Sequence, residues 1–119
     1  MFGVEGFVIT LSRGDTGAIK FIADTDYTFD SADRALFSIK NAIGEVVKQI
    51  ASALDENKAF VVNFFNADTD MLAAGAYQWD VRYIIHPYYD ASGNIVDGDQ
   101  VITPNRPMDM QLLQVVGEV

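Results

Sequence analysis

The stretch from Asn66 to Ile85 constrains this chain more than any other. From Ala76 onward, Tyr77, Trp79, Val81, Tyr83 and Ile85 alternate with Ala76, Gln78, Asp80 and Arg82, the period of two expected when one face of a strand is buried and the other meets water. Ile84 breaks the pattern. Immediately upstream, Asn66 or Asp68 can cap a short helical turn carrying Met71 and Leu72, and Gly75 can end that turn in a left-handed conformation. A helical turn feeding a long alternating strand predicts a chain that turns a corner between two β layers.

Immunoglobulin-like sandwiches place a tyrosine near the start of strand F and a buried core residue two positions later. Tyr77 fits the corner tyrosine, Trp79 the core residue, and Gly75 the entry to the corner. The expected fold is therefore all-β: an immunoglobulin-like antiparallel β-sandwich of about seven strands, with one short helical turn near residues 66–74. Residues 1–119 are read as a single domain, since a chain of 119 residues can remove roughly two thirds of its unfolded surface from water without disulfides.

The remaining strands follow the same periodicity. Phe7, Ile9 and Leu11 alternate with Val8, Thr10 and Ser12, and Arg13-Gly14-Asp15-Thr16-Gly17 then supplies a tight reversal. Arg13-Gly14-Asp15 also matches an integrin-binding tripeptide, but the turn itself requires Gly and Asp, and the turn reading is preferred. Ile19, Phe21 and Ala23 mark a second strand. Ala35, Phe37 and Ile39 form the inward face of a third, and Asn41 to Gly44 is a hairpin connection. Glu45 to Ile50 has an ambiguous facing, with Lys48 beside Val46 and Ile50 and with Val47 opposite, as on an edge strand. Phe60, Val62 and Phe64 define the next inward face; Phe37 and Phe60 join Trp79 as expected core. Ser92-Gly93-Asn94 reads as a hairpin turn. The last strand, Val101-Ile102 resuming at Met108, Met110 and Leu112, is interrupted by Pro104 and Pro107 and is expected at an edge.

The sequence holds no cysteine, which removes thiol, redox and zinc-thiolate chemistry. Seventeen acidic side chains against eight Lys and Arg give a net charge of −9, which repels phosphate backbones, so no nucleic-acid partner is expected. The Met1 to Glu5 start lacks the basic and apolar regions of a signal peptide, and no apolar run approaches the ~20 residues needed to span a bilayer. Cytoplasmic synthesis without membrane insertion is the expectation, with incorporation into a virion as a later fate. No glycine-rich phosphate loop, HExxH or Gly-x-Ser-x-Gly elbow is present. The single histidine, His86, reads as a strand-end residue rather than a general base. No catalytic, cofactor or metal residue is assigned.

Three features remain to be placed. Asp24, Asp26, Asp30 and Asp33 fall within ten residues and could gather oxygen ligands for Ca²⁺, but a solvated loop anchored by Tyr27 and Phe29 is the better account. Asp90 to Asp99 fails as a helix-loop-helix Ca²⁺ site, because its glycine and its bidentate acid are out of position. Tyr27, Tyr88 and Tyr89 could form a platform for a sugar or peptide. The outward positions Val8, Ile22, Leu36, Val61, Phe65 and Ile84, together with Leu113, carry more apolar surface than a monomer leaves exposed. They are the candidate interface for self-association or a protein partner.

The combination of Ile9 to Gly17, the Asp33-Arg34-Ala35-Leu36-Phe37-Ser38-Ile39-Lys40 strand, and Asn66-Ala67-Asp68-Thr69 leading to Gly75-Ala76-Tyr77-Gln78-Trp79-Asp80-Val81 resembles small immunoglobulin-like domains of phage and prophage tail or baseplate proteins. The resemblance spans roughly Phe7 to Leu113. It implies a non-enzymatic structural or interaction module that oligomerises or docks on other tail components. The chain ends soon after the sandwich, so a free-standing accessory protein is a further form of this expectation. The alternative is a carbohydrate- or cell-surface-binding sandwich using Tyr27, Tyr88, Tyr89 and the acidic loop, with Ca²⁺ assistance as an option. A hydrolase built on scattered carboxylates ranks last, because no acid-base pair stands out.

Overall fold

Alternating apolar residues along short segments bounded by Gly, Asp and Asn produce strands almost throughout the computed structural model. It describes residues 2–23, 25–55, 59–104 and 112–116. The elements are β1 (Gly3–Glu5), β2 (Val8–Ser12), β3 (Gly17–Phe21), β4 (Arg34–Lys40), β5 (Val46–Ser52), β6 (Phe60–Phe64), α1 (Asn66–Asp70), β7 (Gly75–Tyr89), β8 (Ile95–Ile102) and β9 (Leu112–Val116). Asp24 of the acidic loop and Met108 and Met110 of the expected last strand lie outside the described residues.

The strands form a seven-stranded sheet ordered β1-β2-β9-β7-β4-β5, with β8 also on β7, and a two-stranded sheet of β3 and β6. The protein is thus mostly β with very little helix. All pairings among the described strands are antiparallel except β2 with β9. That exception departs from the antiparallel expectation, and it is permitted because nearly the whole chain lies between the two strands, so no tight turn dictates their direction.

β7 organises the large sheet. Tyr83 and Ile84 pair with β4 and with β8 at once, and Gln78 pairs with Lys40 of β4 and Leu112 of β9. β8 and β9 therefore run along the same edge of β7, one after the other, with Pro104 following the first. The proline-broken last strand is thus seen as two strands. Its expected edge position is overturned for β9, which is enclosed between β2 and β7.

The small sheet packs on the inward face of the large one through aromatic rings. Phe37 stacks on Trp79 at a centroid distance of 5.5 Å and meets Phe64 edge-on at 5.3 Å. Phe21 lies 5.8 Å from Trp79, and Phe60 lies 5.2 Å from Tyr83. Ile9, Leu11, Ala35, Ile39, Val62, Leu72, Val81, Leu113 and Val115 complete the buried cluster. Each large side chain buried there contributes ~1.5–3 kcal/mol relative to exposure. The indole nitrogen of Trp79 donates to the Phe7 carbonyl, so the ring is buried without stranding its polar atom.

Two departures from simple alternation have local causes. The register between β4 and β5 shifts so that Ile39 faces Lys48 while Lys40 faces Val46. Val47 is the extra residue of a bulge, which explains the ambiguous facing of this segment. β5 ends the large sheet's order, as an edge strand should. Farther along β7, Tyr83, Ile84 and Ile85 are buried in succession. Ile84, expected at an outward interface, is covered by β8 where Gly98 lets the backbone pass: a Cβ there would lie 2.5 Å from Ile84 Cγ2.

Candidate functional site

The corner before β7 is tied together by its own polar groups. α1 runs only from Asn66 to Asp70, shorter than the expected 66–74, and its cap is Phe65, whose N–H donates to the Asp68 carboxylate. The same helix fixes the Arg13-Gly14-Asp15 turn. Asn66 Nδ2 donates to the Gly14 carbonyl, Thr69 Oγ1 to the Asp15 carbonyl, and the Arg13 guanidinium to the Asp70 carbonyl. Gly14 has φ of 82°, and the Ser12 N–H donates to Asp15 Oδ2. These residues act as a clamped turn. Tyr77 projects its hydroxyl 2.7 Å from the Ala73 carbonyl.

The densest cluster of titratable groups lies at the far end of β7, around His86. This is the only non-glycine residue with positive φ among the described residues, at 48°. The kink aims the His86 N–H at Asp33 Oδ1, 3.0 Å away, while Asp33 Oδ2 accepts the Asp30 N–H at 2.8 Å. Asp33 is fully buried. It is a buried carboxylate that satisfies two main-chain donors, which is why it is tolerated inside.

The imidazole itself is held between two further carboxylates. Nε2 lies 2.9 Å from Asp30 Oδ2 and Nδ1 lies 3.1 Å from Asp99 Oδ2. Asp99 also accepts a hydrogen bond from the Tyr88 hydroxyl. The hydrogen bonds to Asp30 and then Asp99 raise the His86 pKa above its ordinary value, against partial burial. The Asp30 carboxyl is lowered, first by His86 and then by the Ala32 N–H, and Asp99 is lowered by Tyr88 and then His86. The Tyr88 hydroxyl is raised by its bond to Asp99. The Tyr27 hydroxyl is raised by burial and by the charges of Asp33, Asp30 and Asp99.

Asp30, Asp33 and His86 bring ligand-type atoms within 4.8 Å of one another. Their donor atoms are already committed: Asp33 to two amides, and both imidazole nitrogens to carboxylates. The arrangement suits a proton-holding network. Both ring partners are carboxylates, so His86, read from the sequence as a strand-end residue, is near the end of β7 and also a node of this network. The sequence signal that could have found it was the pairing of His86 with the Asp97-Gly98-Asp99 run across a hairpin.

The tyrosines divide. Tyr88 and Tyr89, each about half exposed, line a cleft of about 460 Å³ with Ala32, Arg34, His86 and Pro87. Tyr27 does not join them there. Its ring packs on Phe29 at 5.1 Å, Phe29 packs on Phe60 and Tyr83, and Tyr27 faces a separate hollow with Ile22 and Leu54. The acidic loop is thus anchored by Tyr27 and Phe29.

The outward apolar residues also divide. Ile84 and Leu113 are buried, and Val8, Leu36 and Val61 are only half-buried. On the outer face of the large sheet, polar pairs interrupt any apolar patch: Lys40 Nζ meets Asp80 at 2.9 Å, and Gln49 donates to Ser38. Ile22 and Phe65 remain exposed, at 71% and 65%. Beside Phe65, a groove of about 360 Å³ runs between β5 and β6, lined by Ile50, Ala51, Leu54 and Val61 and by the polar Ser52, Asp55 and Asn63.

Comparison of the chain with protein-family models, curated proteins and solved structures finds no match. No helix among the described residues is long and apolar enough to cross a membrane.

Proposed function

We propose that this chain is a non-enzymatic structural or interaction module: an immunoglobulin-like sandwich that associates with itself or a protein partner, of the kind used in phage or prophage tail and baseplate assemblies. The observation that carries the reading is Phe65, exposed at the rim of a groove of mixed apolar and polar lining beside the edge strand β5. A large aromatic side chain next to a strand edge that no strand among the described residues extends supplies both an anchor and a row of main-chain hydrogen-bonding groups for an incoming strand. The Tyr77 hydroxyl bond to the backbone four residues upstream supports the immunoglobulin-like reading, since a corner tyrosine makes such a bond. The tail assignment rests on the sequence resemblance.

The test is solution mass by light scattering coupled to size exclusion across a wide concentration range. The expected result is a dimer or larger species that Phe65→Asp converts to a monomer. A wild-type monomer at every concentration would remove self-association.

A second reading follows from the pairing of Tyr88 and Tyr89 in one open cleft, where flat amphipathic rings could take a sugar. Glycan-array binding abolished by Tyr89→Ala would support it, and EDTA sensitivity would show whether Ca²⁺ assists.

A further inference from the structure

The network around His86 joins two parts of the chain through one imidazole. Asp30 lies 56 residues before His86 and Asp99 lies 13 residues after it, and each holds one ring nitrogen. A neutral imidazole has one N–H donor and one acceptor, whereas the imidazolium has two donors. Carboxylates on both sides can be satisfied together only by the doubly protonated ring. Removing one proton turns a hydrogen bond into a contact between a ring lone pair and a carboxylate.

We propose that protonated His86 is a pH-operated latch tying the Asp30–Asp33 turn to strand β8. The groups that face it come from every neighbouring element. They are Asp30 and Asp33 from the loop, Asp99 from β8, and Tyr88 from β7 and Arg34 from β4 in the same cleft, while Tyr27 lies near enough to feel the charges of Asp30, Asp33 and Asp99, and Asp97 acts on Tyr88. Arg34 donates to the Ser31 and Asp33 carbonyls, so its hydrogen bonds serve the turn's backbone.

Deprotonation releases one carboxylate while the His86 N–H keeps its bond to buried Asp33. Whichever ring nitrogen loses its proton, the tie between the turn and β8 is broken while the turn stays moored at Asp33. The motion is local, and it reshapes the cleft that contains Ala32, Tyr88 and Tyr89. The device rests on geometry independent of the assembly reading, so it can fail or hold without affecting that reading.

The chain has one histidine, so its ring protons give one NMR titration curve. The curve is expected to have its midpoint above the ordinary value of about 6.5, with Asp99→Asn and Asp30→Asn each moving it down. Hydrogen-exchange protection of the Ala32 amide, which donates to Asp30 Oδ1, is expected to fall roughly tenfold as pH rises through that midpoint. His86→Asn is the informative variant, because Asn tolerates positive φ and keeps the N–H to Asp33. It is expected to show the low protection at every pH. Asp99→Asn, altered at an exposed carboxylate, serves the same purpose should His86→Asn misfold. A wild-type ring that titrates at or below 6.5, or Ala32 protection that ignores the titration, overturns the latch.

Discussion

The hydroxyl of Tyr77 donates a 2.7 Å hydrogen bond to the carbonyl of Ala73, four residues upstream. This bond spans the segment between α1 and β7 and holds the chain at the point where it leaves the small sheet for the large one. The ring also packs against the core from a half-buried position. Tyr77→Phe keeps the ring and removes only the bond, so it is expected to destabilise the protein by roughly 0.5–1.5 kcal/mol. Urea unfolding should show a lower midpoint with an unchanged slope, since the surface exposed on unfolding is the same. A midpoint equal to wild type would mean the bond contributes nothing.

Gly98 is required for a different reason from the turn glycines. A Cβ at this position would stand 2.5 Å from Ile84 Cγ2 and 2.8 Å from the Ile85 carbonyl oxygen. The isoleucine can rotate, but the carbonyl belongs to the β7 ladder and cannot yield cheaply. Gly98→Ala is expected to cost about 1–3 kcal/mol, in the range of overpacked sites. Gly3→Ala, where an added Cβ meets nothing within 4 Å, is the control and should leave thermal stability within about 0.5 kcal/mol of wild type.

The inward faces of β2, β4, β6 and β7 were legible because period-two alternation is a local signal: Ile9, Phe37, Val62 and Trp79 could be placed from their neighbours alone. What was hidden depends on partners distant in sequence. Nothing beside Ile84 announces that β8 will cross over it, or beside Val47 that a bulge will turn it. β1 was missed because three exposed residues carry no periodicity. The His86 node needs a left-handed residue, a buried Asp33 and a cross-strand Asp99 together. Only the tertiary fold assembles these.

Phe37 and Phe65 separate core from surface within one residue type. Phe37 is fully buried against Trp79, Phe64 and Phe21, whereas Phe65 is 65% exposed. Phe37→Ala is expected to cost about 3–5 kcal/mol through lost transfer energy and the cavity left behind. Phe65→Ala is expected to change monomer stability by no more than about 0.5 kcal/mol. Chemical denaturation of both variants at low concentration checks the contrast, and a large loss at Phe65 would show it to be a core residue of the fold.

The His86 network also fixes the direction in which stability varies with pH. The histidine pKa is raised in the folded state by Asp30 and Asp99. Its stabilising contribution is therefore complete below the unfolded value of about 6.5 and is lost as pH rises through the folded value above it. Asp30 and Asp99 are lowered, so their contribution is present above the unfolded value of about 3.9 and is lost as pH falls through their folded values. The network is thus strongest in the mildly acidic range between these limits. Melting temperatures of wild type and His86→Asn, measured in parallel from acid to alkaline pH, should differ most in that range and converge as the wild-type histidine deprotonates. Comparing the two proteins at each pH cancels the repulsion that a net charge of −9 imposes on both. A difference that stays constant across neutrality would mean that His86 contributes through packing alone.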